Sequence, residues 1–264
     1  MTEDTNSLNN ELSFSSLDDF DNKELLRIST SKMATLVDDY PNHFKTRTLG
    51  RYMNNYTTRM ERDITGRRRR NRVFPYGTLV FVDFGINFGS EFSAPHYAIT
   101  LTKNDTKMNN TITVIPLTSK EGRSNFQLDE SVSKSLALKT AELGLTFSEE
   151  VQQVLIDKLG ELILTSALTK SELTKELTEK VQEQLKNNQL VMEQSKERLA
   201  KYMSDLEKTT YAKIDSITTI DKGKIFKRHN ALDPLGVVTI DDEQLKKINK
   251  KIIEYLYLDN IDEE

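Results

Sequence analysis

The fold turns on Phe74-Pro75-Tyr76-Gly77-Thr78-Leu79-Val80-Phe81-Val82-Asp83-Phe84-Gly85, followed by Pro95-His96-Tyr97-Ala98-Ile99-Thr100-Leu101-Thr102 and Thr111-Ile112-Thr113-Val114-Ile115-Pro116-Leu117-Thr118. These runs are rich in β-branched and aromatic residues. Pro-Tyr-Gly, Asn-Phe-Gly-Ser and Asn-Asp punctuate them, as turn residues punctuate strands. The pattern predicts strands near 78–84, 96–103 and 111–117 in a small antiparallel sheet. Sheet signals return at 210–225, in Thr-Tyr-Ala-Lys-Ile-Asp-Ser-Ile-Thr-Thr-Ile-Asp-Lys-Gly-Lys-Ile. The whole is an α+β chain.

Helical text surrounds the strands. Upstream, Leu25, Ile28, Leu36, Val37 and Tyr40 recur at roughly helical spacing over 23–40, and Pro41 ends the run. A second, weakly amphipathic helix is expected over 42–63, with Leu49, Met53, Tyr56 and Met60. Between the strand blocks, no proline falls between Pro116 and Pro234. There Leu173, Leu177, Val181, Leu185, Met192, Leu199 and Leu206 form one stripe, interrupted by polar Asn188 and Ser195. This coiled-coil-like segment, 131–208, is expected to fold back as an antiparallel hairpin near Lys186-Asn187-Asn188. The last element expected is an amphipathic helix over 239–258, capped by Thr239 or Asp241. It should bury Leu245, Ile248, Ile252, Tyr255 and Leu256.

Composition agrees with a modest core carrying charged extensions. Hydrophobic residues are 36% and charged ones 30% of the 264, below and above the usual shares of a globular domain. The net charge of −4 demands neither a nucleic acid nor a membrane. It conceals an asymmetry. Residues 1–22 hold Glu3, Asp4, Glu11, Asp18, Asp19 and Asp21 with no lysine or arginine, a net of −6 that reads as an acidic mobile tail. Residues 45–72 hold ten lysines and arginines, including Arg67, Arg68, Arg69 and Arg70, against Glu61 and Asp63, a net of +8. That block either faces a polyanion or is a solvated basic linker. Cysteine is absent, which removes disulfides, thiolate metal sites and a cysteine nucleophile. Only three histidines occur, His43, His96 and His229, and no metal site or cofactor is expected. The acidic opening and the lack of a long apolar run imply a cytoplasmic protein with no membrane partner.

Taken in order, the strand pieces resemble the MazF/PemK family, the toxins of type II toxin–antitoxin modules. Tyr76 to Gly85 is similar to the family's opening strand, and Gly89-Ser90-Glu91 to its Gly-Ser-Glu loop. Ala98 to Asp105 resembles the second strand, ending in Asn-Asp. Val114-Ile115-Pro116-Leu117-Thr118-Ser119 resembles the strand ending in Pro-Ile-Thr-Ser, and Asp215 to Lys222 the closing Thr-Ile-Asp-Lys segment. The likeness covers about 74–129 and 210–257.

The resemblance implies a small SH3-like antiparallel β-barrel formed by 73–130 and 209–264, with a C-terminal helix. It leaves 131–208 as an inserted helical region and 23–72 as an N-terminal helical arm with a basic linker. It further implies a homodimer, held in check by a cognate antitoxin. The activity implied is metal-independent cleavage of single-stranded RNA, the neighbouring 2′-OH attacking to leave a 2′,3′-cyclic phosphate. That chemistry needs a proton acceptor, a proton donor and stabilisers for the pentavalent phosphate. The family's catalytic threonine maps onto Thr118, and its arginine onto His96 or Tyr97 depending on one residue of register. His96 and Thr118 are thus the candidate catalytic pair, with Ser90, Glu91, Tyr97, Lys120 and Arg123 as candidate RNA contacts. A histidine exchanges protons near neutral pH, which an arginine does not. Two other readings share the strands: a catalytically inactive nucleic-acid or protein-binding module on the same barrel, and a helical scaffold.

Overall fold

The computed structural model describes residues 21–66, 71–89, 91–130, 132–144, 147–148, 153, 157, 170–206 and 209–256. The acidic segment 1–20, the arginine run 67–70 and Ser90 lie outside these residues. The chain divides into two units, Met1–Arg68 and Arg69–Glu264.

The first unit holds two helices. Asp21 accepts a hydrogen bond from the Lys23 amide and starts α1 (Asn22–Asp39). It stops where Tyr40 precedes Pro41, whose ring disfavours a helical predecessor. His43 caps α2 (Phe44–Ile64) by accepting from the Lys45 amide at 3.3 Å, and Gly66 at φ +64° follows its end. Neither helix has a buried residue.

The second unit is built on strands β1 (Leu79–Asp83), β2 (Pro95–Thr100), β3 (Thr111–Thr118), β4 (Asn125–Gln127), β5 (Tyr211–Lys213) and β6 (Thr218–Asp221). All pairings are antiparallel, in the order β1-β2-β3-β5-β4 with β6 on β3. Strand β3 forks. Its first half pairs β6 through Val114 and Thr218, and its last two residues pair β5. Pro116, which has no N–H to offer, falls in the gap between the two partners. The expected barrel is not closed. The outer edge of β1 meets the rest of the chain through isolated bridges, Val82 to Ile225 and Thr78 to Thr239. Hydrogen bonds such as Leu79 N–H to Val238 O (2.9 Å) and Phe226 N–H to Phe81 O (2.9 Å) satisfy that edge. These passes are too short to make a continuous ladder.

Alternation along β1 sends Leu79 and Phe81 to one face, Val80 and Val82 to the other. Each face carries its own apolar cluster. The larger one includes Leu245 and Ile248 of the terminal helix α5 (Asp242–Leu256), whose first turn is capped by Asp241. Tyr255 and Leu256, expected inside, are 42% and 63% exposed. Helix α5 crosses the β1 turn closely enough that a Cβ on Gly77 (φ +79°) would lie 2.5 Å from Leu245 Cδ1.

The helical segment leaves and returns at one place, because β4 and β5 are neighbours and the Leu128 amide donates to Thr210 O at 2.8 Å. Two helices are described in it, α3 (132–144) and α4 (Lys170–Leu206). The hairpin expected at Lys186–Asn188 does not form. Nothing there breaks a helix, Gln184 donates to Asn188 one turn on, and α4 runs through. Its 37 residues span about 55 Å at 1.5 Å per residue. The roots of both helices belong to the core: Val132, Leu136, Tyr202 and Leu206 are buried in the cluster that holds Leu79 and Ile248.

Two of the quoted motifs meet inside this unit. Lys222, from the Thr-Ile-Asp-Lys stretch, pairs with Asp105, from the Asn-Asp stretch, at 2.6 Å. The two side chains are 3% and 1% exposed. The ammonium also donates to the carbonyls of Thr106 (2.9 Å) and Arg72 (3.0 Å), and Asp105 accepts from the Phe74 amide at 2.9 Å.

Candidate functional site

His96 stands on β2 opposite Val82, on the face of the smaller cluster. Its imidazole packs on Phe92 with ring centroids 4.4 Å apart, and Phe92 meets Phe84 edge-on at 5.2 Å. Burial pushes the imidazole pKa below its ordinary 6.5, and a hydrogen bond with the Ser93 backbone only partly opposes this. His96 is therefore neutral at pH 7, a proton acceptor rather than a fixed cation.

Phe92 is also one wall of a groove of about 600 Å³. The β1–β2 loop supplies Phe84, Asn87, Glu91 and Phe92 to it; the facing wall comes from Lys213, Asp215–Ile220 and Lys224. Lys213 is fixed by Asp215 and by Ser216 Oγ at 2.9 Å. Burial alone would raise the Asp215 pKa, but hydrogen bonds from Lys213, Ser124 and Ser216 outweigh it and hold the carboxylate below its usual value. Lys224, half-buried on the same wall, is in no ion pair among the described residues.

Thr118 ends β3 beside Tyr211, two residues before Lys213. Its Oγ1 accepts from the Lys120 amide at 3.2 Å, which leaves the hydroxyl hydrogen to donate elsewhere. Lys120 and Arg123 are exposed on the following loop. That loop is tied to the groove wall: Ser124 donates to Asp215 at 2.8 Å, and Asn125 donates to Lys120 O at 2.9 Å.

The β2–β3 register stops short of both catalytic candidates. The last pairs are Thr100 with Val114, Ile99 with Ile115 and Ala98 with Pro116. Counted two residues further, the same register would bring His96 level with Thr118, but no such pair forms. The ladder itself stops at Ala98, because beyond Pro116 strand β3 turns to β5.

Tyr97 goes elsewhere. Adjacent strand residues face opposite ways, and its ring joins the larger cluster against Phe81 (5.0 Å) and Tyr202 (6.3 Å). Its hydroxyl donates to Asp205 of α4 at 3.1 Å. Burial, then the Asp205 charge, drives this phenol far above its ordinary pKa. Tyr97 holds the helical segment to the sheet and is not at the groove. Glu91 is at the groove, while Ser90 lies outside the described residues.

Lys213, Lys224 and Asn87, which line the groove, were not among the candidates read from the sequence. The lysines come from a segment more than a hundred residues beyond the β1–β2 loop, and no local pattern announces that the two meet. Among the described residues no three His, Asp or Glu side chains gather closely enough to hold a metal ion. No helix among them is long and apolar enough to cross a membrane. No known family model matches the chain, and no curated protein matches its sequence.

Proposed function

We propose that this chain is a MazF/PemK-like endoribonuclease that cleaves single-stranded RNA through attack of the 2′-OH. The observation that supports the reading is a neutral imidazole packed on Phe92, which is itself a wall of the groove that holds Lys213 and Lys224. The buried pair of Asp105 and Lys222 adds support, because residues of two separate family-like motifs meet there. An SH3-like barrel ancestry, a homodimer and a cognate antitoxin belong to the same proposal.

In this mechanism neutral His96 accepts the 2′-OH proton while the 2′-oxygen bonds to phosphorus. The bond from phosphorus to the 5′-oxygen breaks, and that oxygen leaves with a proton drawn from solvent. The Thr118 hydroxyl donates to a non-bridging phosphate oxygen, and the groove lysines offset the charge that builds there. The exposed Lys120 and Arg123 steer the incoming polyanion.

One observation favours the second reading, a binding module without catalysis. The His96 ring is packed on Phe92, as a purely structural histidine would be. The deciding experiment incubates purified protein with a long single-stranded RNA in EDTA and analyses the ends. We expect 2′,3′-cyclic phosphates, and rates lower by about 10²-fold or more in His96→Ala and in Thr118→Ala. Absence of cleavage at every salt concentration, or full activity in both variants, overturns the assignment.

A further inference from the structure

Phe88 is the most exposed large apolar side chain among the described residues, at 89%. It belongs to the β1–β2 loop, whose other phenyl groups pack. Phe84 is buried, and Phe92 is lodged between Phe84 and His96. The loop that presents Phe88 is braced on both sides. Asn87 donates from its side chain to Phe84 O (3.2 Å) and Phe92 O (2.7 Å), and its amide donates to Ser93 Oγ (3.1 Å). The Glu91 amide donates back to Phe88 O at 3.0 Å, and the loop is closed at its base by Ala94 N–H to Gly85 O at 2.7 Å. The backbone that carries the ring is bonded before any ligand arrives, so binding has only the two side-chain torsions of Phe88 to fix. The residues that brace it, Asn87, Glu91 and Phe92, are also residues that line the lysine-bearing groove.

We propose that Phe88 is a base-stacking platform, taking one unpaired nucleobase of single-stranded RNA against its ring. The backbone of the same strand then runs through the groove past Lys224 and Lys213. The inference rests on the RNA reading above and adds to it a contact to the base, which neither the catalytic pair nor the lysines provide. A phenyl face stacks on any base. Phe88 therefore contributes affinity and register along the strand, while leaving the choice of sequence to other groups.

The chain contains no tryptophan, so Phe88→Trp places the sole tryptophan, excited selectively above the tyrosine band, at the proposed contact. The probes are a short 2′-O-methyl RNA, which binds but lacks the attacking hydroxyl, and inorganic polyphosphate, which carries the charge without bases. Phe88→Ala should bind the RNA about 5- to 150-fold more weakly than wild type, the range expected from loss of one stacked base. Its affinity for polyphosphate and its melting temperature should not change. Phe88→Trp should retain RNA affinity, and its emission should respond to RNA and not to polyphosphate. If wild type cleaves RNA while Phe88→Ala binds the 2′-O-methyl RNA equally well, stacking is overturned and the nuclease reading stands. If wild type neither binds nor cleaves RNA, both fall.

Discussion

Replacing Lys222 by methionine tests the central packing claim. The substitution keeps the length and the apolar stem of the side chain and removes only the ammonium. Asp105, 1% exposed, then keeps its hydrogen bond from Phe74 but loses its counter-charge. The carbonyls of Thr106 and Arg72 lose a donor at the same time. Removing one partner of a buried ion pair costs about 3–5 kcal/mol, because the remaining charge has neither water nor a counter-charge. For a unit the size of Arg69–Glu264, a loss of about 3–5 kcal/mol should lower Tm by about 6–20 °C. Urea unfolding followed by circular dichroism, alongside a thermal melt, measures both. The double variant Asp105→Asn/Lys222→Met should recover much of the loss. The asparagine is neutral and still accepts from the Phe74 amide. A single-variant cost below about 1 kcal/mol, or a double variant worse than the single one, would refute the reasoning.

Three further outcomes are expected. Because burial lowers the His96 pKa, the unfolded chain binds this proton more readily than the folded one. Its stabilising contribution is therefore full above 6.5 and is lost as pH falls below that value. Wild type should then lose more stability than His96→Gln between about pH 7 and pH 5, and identical pH profiles in denaturant melts would exclude this. Leu136→Ala should cost about 2–5 kcal/mol in chemical unfolding, since the side chain is fully buried in the cluster shared with the sheet. A near-neutral result would mean that the root of the helical segment adds nothing to the core. Gly77→Ala should destabilise by at least about 1 kcal/mol, because alanine resists φ +79° and its Cβ would meet Leu245. An unchanged melt would show that α5 does not press on this turn.

Much of the architecture was legible locally. Runs of β-branched and aromatic residues between turn residues located β1, β2 and β3, and helical spacing closed by Pro41 located α1. These signals act over a few residues, so one sequence suffices to read them. The order of the strand motifs also suggested which segments belong together, though not why. In the structure the strand pairings of β3 join them, and the ion pair of Asp105 with Lys222 links residues 117 positions apart by number.

What only the tertiary structure decided depends on partners distant in the chain. The fork in β3 fixes where the ladder to β2 stops, short of both His96 and Thr118. Tyr97 looked equivalent to His96 on paper, but one residue of a pleated strand separates the groove face from the face that holds α4. The helical segment read as an insertion because it lies outside the family-like strand text. Its two roots are nevertheless buried in the sheet's own core, since only there could Leu136, Tyr202 and Leu206 leave water. The groove lysines and the exposed ring of Phe88 carry no local signature at all. A side chain's burial and its neighbours are set by long-range packing, and helical or strand periodicity is blind to both.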